Sequence, residues 1–299
     1  MLNLYADFCE QVLAIPMIKG RKTDKEKFAG ANATYTIEAL MHDGKALQSG
    51  TSHYFGDGFA NAFDITFTDK DNKLKHPFQT SWGVSTRMLG AIIMVHGDDK
   101  GLVLPPKIAP KKCVIVPIRM QDSSVMEAVN KLSRELNDAG IMTCTDDSGK
   151  SPGWKFAEAE MKGVPIRIEI GPKDLERGVC VAVRRDNGEK EELSIDDVTQ
   201  NVIRILDSEQ KDMYDRAKSF RDSHISDAKN YEEFKDAVEN KPGFIRGMWC
   251  GDEACEDRIK EETTATSRCI PFGDKSVISD TCVCCGKPAK KLVYWGKAY

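Results

Sequence analysis

Six of the ten cysteines in this chain fall after Trp249, and their spacing constrains the fold more than any other feature. Cys250 and Cys255 enclose four residues, and Cys282 and Cys285 enclose two, just before Gly286-Lys287. Such pairs let two thiolates point at one tetrahedral centre while amides after the knuckle stabilise the negative sulfur cluster. Cys250, Cys255, Cys282 and Cys285 are therefore expected to hold one structural zinc ion (Zn2+). Cys284 offers an alternative partner for Cys282; Cys285 is preferred because the glycine after it suits a knuckle turn. Cys269 is read as a core thiol, and Cys9, Cys113, Cys144 and Cys180, each in an apolar run, as buried thiols. The segment Met1 to Phe8 lacks a basic region followed by an apolar stretch and a small-residue cleavage site, so the expected compartment is the cytosol. There thiols stay reduced and serve as ligands more often than as disulfides.

The 299 residues exceed what one core organises, and two or three domains are expected. The mixture of 40% hydrophobic and 30% charged residues is globular, and no apolar run is long enough to span a bilayer, which excludes a membrane role. A formal net charge of −4 argues weakly against general polyanion binding but leaves room for a local basic face.

Hydrophobic periodicity divides the chain. Leu4, Phe8 and Val12 form one helical stripe that stops before Ile15-Pro16. Residues 33–68 alternate β-rich runs, Thr34 to Ile37 and Phe63 to Phe67, with glycine turns, as an antiparallel sheet does. Residues 84–95 read as a buried helix ending at Gly97. From Lys111 the texture becomes βαβ. Cys113 to Val116 is a buried strand, Val125, Val129, Leu132 and Leu136 line one helix face, and the apolar run Ile141 to Cys144 follows. A helix around Trp154 to Met161 then leads to strands Ile166 to Ile170 and Val179 to Val183, a small α/β domain with a mixed sheet ending near Asp196. Leu206, Met213 and Phe220 mark a long polar helix before the cysteine-rich tail.

Two polar blocks carry candidate chemistry. The first runs from Glu26-Lys27-Phe28-Ala29-Gly30-Ala31 through Glu38-Ala39-Leu40-Met41 to Gln48-Ser49-Gly50-Thr51-Ser52-His53, a ligand-facing strand and turn. The second, Gln79-Thr80-Ser81-Trp82-Gly83-Val84-Ser85-Thr86-Arg87, brings a strand end, a glycine and an arginine opening an apolar helix, which suits approach to a phosphate. Taken singly, Arg87 could be an ordinary helix-start arginine and His53 a hydrogen-bonded core histidine. His96 is read as structural. In this order, and followed by His96-Gly97-Asp98-Asp99-Lys100-Gly101-Leu102-Val103-Leu104-Pro105-Pro106, the blocks resemble the active site of prolyl-tRNA synthetases of the archaeal and eukaryotic type. The resemblance covers essentially the whole chain.

That resemblance implies a class II aminoacyl-tRNA synthetase fold of the α/β (α+β) class. Residues 1–110 would be the C-terminal part of the antiparallel-sheet catalytic domain, 111–200 an α/β anticodon-binding domain, and 201–299 a zinc-binding α/β domain. It also implies a proline–tRNA ligase that uses ATP and Mg2+ to make prolyl-adenylate and passes the prolyl group to tRNA(Pro). Arg87 would be the catalytic arginine contacting ATP, with Ser85 beside it. Gln48 and Thr51 would lie at the nucleotide and its Mg2+, and His53, Ser81, Trp82 and Gly83 would line the proline pocket. Pro152-Gly153-Trp154-Lys155-Phe156 and Arg167-Ile168-Glu169-Ile170-Gly171-Pro172-Lys173-Asp174 resemble the family's anticodon-binding segments. Lys155, Phe156, Glu158 and Arg167 would read anticodon guanines by stacking and edge hydrogen bonds; Trp154 is as readily a buried helix-core residue. The family's first two class motifs, which supply the dimer interface and the principal ATP-binding arginine, have no counterpart here. The resemblance therefore implies a truncated chain, inactive in adenylation by itself, of an enzyme whose full-length form is a homodimer. The alternatives are a non-catalytic tRNA-binding protein and a regulatory paralogue.

Overall fold

A computed structural model describes residues 1–299. The chain divides into two compact units that cut across the three sequence segments: residues 1–10, 15–91 and 218–299 form one, and residues 11–14 and 92–217 the other. No helix is long and apolar enough to cross a membrane.

The first unit is organised by an eight-stranded sheet. Its spatial order is Ile225–Ala228, Phe244–Trp249, Lys291–Gly296, Thr266–Pro271, Ile18–Arg21, Ala33–Leu40, Ala46–Gly56 and Gln79–Gly83. All neighbours are antiparallel except the first two strands. The cysteine-bearing tail and the N-terminal strands thus share one sheet, joined where Gly20 pairs with Pro271 and Arg21 with Ile270. That seam requires a glycine: a Cβ on Gly20 would lie 2.5 Å from the Ile270 carbonyl oxygen and 2.6 Å from Cys269 Cβ. Beside the seam sits a buried ionic group. Glu38 accepts from Lys22 Nζ at 3.0 Å, Arg268 Nη2 at 2.8 Å and Thr36 Oγ1 at 2.8 Å. Burial alone would raise the Glu38 carboxyl, but Lys22 and Arg268 together hold it below the ordinary carboxylate range. The tail packs its own core around Trp295, which meets the edge of Phe234 at 5.9 Å.

The second unit carries a mixed five-stranded sheet, ordered Lys190–Ser194, Val179–Arg184, Ile166–Ile170, Cys113–Pro117 and Thr143–Thr145. Cys113–Pro117 runs parallel to both its neighbours, and the other pairs are antiparallel. The helix Ser123–Asp138 begins where the Asp122 carboxylate accepts from the Ser124 amide, and it buries Val125, Val129, Leu132 and Leu136, the face its periodicity predicts. The helix Pro152–Met161 opens on Ser151 as cap with Pro152 in its first turn. His96 hydrogen-bonds the Leu13 carbonyl oxygen at 2.9 Å, in keeping with a structural role, and burial pushes its pKa down to about 4.

Four expectations need correction. The helix Leu2–Gln11 buries Ala6 and Cys9 and leaves Leu4 and Phe8 exposed, so its packed face is not the stripe of large apolar residues. The run Phe63 to Phe67 is not a strand: Asp64 adopts a left-handed conformation that ends the extended course, and only Phe67–Thr68 pairs, with Leu74–Lys75. The helix Arg87–His96 buries Met88, Ala91 and Ile92 but exposes Leu89 and Ile93, so it is amphipathic and not buried all round. Cys144 is only partly buried, lying in the sheet's edge strand.

Candidate functional site

The four cysteines chosen from spacing converge. Cys250 directly follows the strand Phe244–Trp249, Gly251 turns the chain with φ of +92°, and the Asp252 carboxylate caps the helix Glu253–Thr263 that carries Cys255 in its first turn. Cys282 to Cys285 form a knuckle in which the Gly286 amide donates to the Cys282 carbonyl at 3.0 Å and the Cys282 amide to the Lys287 carbonyl at 2.7 Å. Gly286 sits at φ of +71°, as the knuckle turn requires. The Sγ atoms of Cys250, Cys255, Cys282 and Cys285 all lie within 4.8 Å of one another, with Cys250 3.8 Å from both Cys255 and Cys285. A tetrahedron with metal–sulfur bonds of about 2.3 Å has edges of roughly 3.8 Å. The donors therefore fit one tetrahedral metal ion. Cys284 is buried in the tail core and Cys269 in a cluster with Leu40, Ala46, Phe244 and Tyr294, both outside this group.

The candidate nucleotide and proline residues gather along the open edge of the eight-stranded sheet. A bulge at Ser49 moves the register from Ile37 opposite Gly50 to Glu38 opposite Gln48, so Gln48, Thr51 and His53 share the face of Glu38, Thr36 and Thr34. Ser81 and Gly83 pair with His53 and Thr51 and join that face. Arg87 Nη1 donates to the Gln48 carbonyl at 2.9 Å, and its amide donates to Ser85 Oγ at 3.3 Å. Trp82 is not brought in. It pairs with Ser52 and points to the opposite face, half exposed. The apolar surround of His53 comes instead from Phe28, with ring centroids 5.0 Å apart, and from Phe55, stacked at 6.0 Å. His53 Nδ1 pairs with Thr34 Oγ1 at 3.0 Å, and burial holds its pKa below the usual value. Phe55 follows His53 at the two-residue spacing of one strand face, a signal the sequence carried.

In the second unit two of the four candidate base readers, Phe156 and Arg167, come together, and Lys155 and Glu158 turn to other partners. Arg167 lies over the Phe156 ring at 4.2 Å and donates to Glu169 at 3.0 Å and Glu160 at 3.1 Å. Lys155 is buried, with Nζ on the Asp146 carbonyl at 2.8 Å. Glu158 turns to Lys162 at 2.6 Å. Trp154 is exposed under Lys150, which rules out the helix-core reading. Glu160, outside that set of four, follows Phe156 by one helical turn and so shares its face. Glu160 and Arg167 line a charged cavity of about 180 Å3 together with Asp98, Lys100, Arg185 and Asp186.

Residues 112–205 match the family described as "Anticodon binding domain", and residues 231–299 that described as "Prolyl-tRNA synthetase, C-terminal". The whole chain is 63% identical to a proline–tRNA ligase of Lachnospira eligens, 64% to one of Agathobacter rectalis and 56% to one of Clostridium botulinum. All 299 residues align, spanning 62% of the length of each relative. These relatives are bacterial. The chain thus carries an anticodon-binding domain followed by a prolyl-tRNA synthetase C-terminal domain, and is similar throughout to bacterial proline–tRNA ligases.

Proposed function

We propose that the chain is part of a cytoplasmic proline–tRNA ligase that activates proline with ATP and transfers it to tRNA(Pro). The observation that carries this reading is the similarity of all 299 residues to ligases of that name, at 56% identity or more. Residues 1–110, 111–200 and 201–299 are its catalytic, anticodon-binding and zinc-binding segments. The archaeal and eukaryotic type describes its architecture, carried by the cysteine-bearing tail, in a protein whose relatives are bacterial. The full-length enzyme works as a homodimer.

The chemistry needs no side-chain nucleophile. The proline carboxylate attacks the α-phosphorus of ATP in line and pyrophosphate leaves; a hydroxyl of the terminal ribose of tRNA then attacks the prolyl carbonyl, losing its proton, and AMP leaves. Arg87, held by the Gln48 carbonyl, meets the negative charge that builds on the phosphate, and Ser85 holds the backbone at its helix start. Gln48 and Thr51 face the nucleotide, where bound Mg2+ would add charge neutralisation. His53 and Ser81 receive proline against Phe28 and Phe55, with Gly83 leaving room for the backbone. Cys250, Cys255, Cys282 and Cys285 would hold zinc, which would supply folding stability to the tail. In the anticodon domain a guanine stacks at Phe156 and Arg167. Its N1–H and N2–H donors reach the Glu160 carboxylate, the group complementary to that edge.

Joining the chain to the portion of the Lachnospira eligens ligase outside the match tests the reading. The joined protein should catalyse proline-dependent ATP–pyrophosphate exchange. Arg87→Ala should lower its rate about 100-fold or more, and His53→Ala should mainly raise the KM for proline. Exchange that ignores proline, or is indifferent to Arg87, contradicts the assignment. A second reading, a tRNA-binding body without activation, is favoured by the exposure of Ser81 to Arg87 along the open sheet edge.

A further inference from the structure

The cavity beside Arg167 has a second wall built from Asp98 and Lys100, residues of a segment that the family resemblance places with the catalytic blocks. The loop Gly97 to Gly101 doubles back through paired hydrogen bonds between Asp98 and Gly101, each 3.1 Å. It is seated on the C-terminal end of the helix Pro152–Met161. Leu102 donates to the Met161 carbonyl at 3.1 Å, and a Cβ on Gly101 would lie 2.6 Å from Met161 backbone atoms. The Asp98 carboxylate receives both terminal nitrogens of Arg185, at 2.7 and 2.6 Å. This fork pulls the Asp98 carboxyl down to about 2. Arg185 is buried, and its Nε donates to the Glu160 carbonyl at 2.8 Å. The Glu160 carboxylate stands between Arg167 at 3.1 Å and Lys100 at 3.7 Å.

Glu160 is thus held twice, at its backbone through Arg185 and Asp98 and at its carboxylate by two cations. The helix already has its own cap at Ser151 and packs Phe156 and Ala159 against the sheet. The two holds fix the angle at which a carboxylate meets a flat donor edge, and a bidentate base contact tolerates little misplacement. We propose that Asp98 and Lys100 are positioning and specificity residues of a guanine site. Asp98, through Arg185, fixes the turn that bears Glu160, and Lys100 turns the Glu160 carboxylate toward the cavity. This rests on the anticodon reading above. The cavity is smaller than the ~300 Å3 at which drug-sized ligand pockets begin, so it takes one base edge and not a whole nucleotide.

The test uses the full chain and an RNA stem-loop bearing a proline anticodon, against the same stem-loop with inosine in place of each guanine. Inosine keeps N1–H and lacks the N2 amino group. The parent chain should prefer the guanine stem-loop by about tenfold in Kd. Asp98→Asn and Arg185→Lys should cut that preference to about threefold or less, mainly by weakening the guanine complex. Lys100→Met should move it in the same direction. Because Lys100 is exposed, this variant keeps the test decisive if Asp98→Asn fails to fold, and melting curves identify that case. A merely structural role would lower stability and leave the guanine-to-inosine ratio unchanged. If Arg167→Ala abolishes the preference while Asp98→Asn and Lys100→Met retain it, the proposal is overturned and the anticodon reading stands. If the parent itself shows no preference, both fall.

Discussion

The cysteine cluster and the sheet edge bearing Gln48 to Arg87 were both expected to be sites, and they differ in how far this chain completes them. The tail gathers its four thiols with its own strand end, helix cap and knuckle, burying Cys250, Cys255 and Cys282 and leaving Cys285 at the surface, and its core is filled by Trp295 and Phe234. The sheet edge collects one arginine and several polar groups on one face, yet Ser81, Ser85 and Arg87 stand in water, and so do Phe78, Trp82 and Leu89 nearby. The lesson is that a ligand set supplied by two short local motifs closes by itself. A site strung along a sheet edge depends on whatever covers that edge.

The largest effect that can break this contrast is metal removal. A structural zinc held by cysteine thiolates contributes on the order of 10 kcal/mol to its module's folding. Stripping it should unfold the tail and expose the strands Phe244–Trp249 and Lys291–Gly296 to amide exchange. Purified protein containing no zinc, with those amides still protected, contradicts a closed metal module. Cys285→Ser should lower metal content and Cys284→Ser should not; the opposite result moves the fourth ligand to Cys284.

Tryptophan deletions come next. Trp295→Ala should cost about 3–5 kcal/mol, since its ring is 0% exposed. Trp82→Ala, at 52% exposure, should change stability by no more than about 0.5 kcal/mol. Equal costs in denaturant titrations would erase the distinction between a filled core and an open edge.

The same contrast recurs in two buried carboxylates. Glu38 has Lys22, Arg268 and Thr36, so Glu38→Gln should cost about 3–5 kcal/mol by stranding two buried cations. Glu209 has both oxygens buried without a partner, and burial pushes its pKa to about 9. A raised folded-state value means that the carboxyl's contribution is complete below the unfolded value of 4.5 and is lost as pH rises from there to about 9. Glu209→Gln should therefore stabilise the protein at pH 7, by up to about 3 kcal/mol, and flatten the decline in stability across that window. A variant less stable than the parent at pH 8 would show that Glu209 has a partner in solution.

What the sequence made legible were patterns carried by a few neighbouring residues. The face Val125, Val129, Leu132 and Leu136 and the pairs Cys250/Cys255 and Cys282/Cys285 are each short in sequence, and local geometry determines where they point. The illegible parts depend on distant partners or on parity. The bulge at Ser49 brings Gln48 onto the face of His53, whereas the pairing of Trp82 with Ser52 turns that ring to the other face and leaves Phe55 beside His53. Glu160 gains meaning only when Arg167 arrives on the adjacent strand and Asp98 from the preceding loop. The joining of tail to N-terminal strands hangs on Gly20 meeting Pro271, a pairing no periodicity reveals.

The proposed recognition of a proline tRNA by the anticodon-binding domain is tested by the chain's affinity for that tRNA against an unrelated tRNA of the same length, at one fixed salt concentration. Each guanine lost from a read position typically costs ~1–3 kcal/mol. The account predicts binding at least about tenfold tighter to the proline tRNA, with Arg167→Ala removing most of the difference. Equal affinity for the two tRNAs, falling equally as salt rises, would mean that the domain holds phosphates without reading bases, and would contradict the claim.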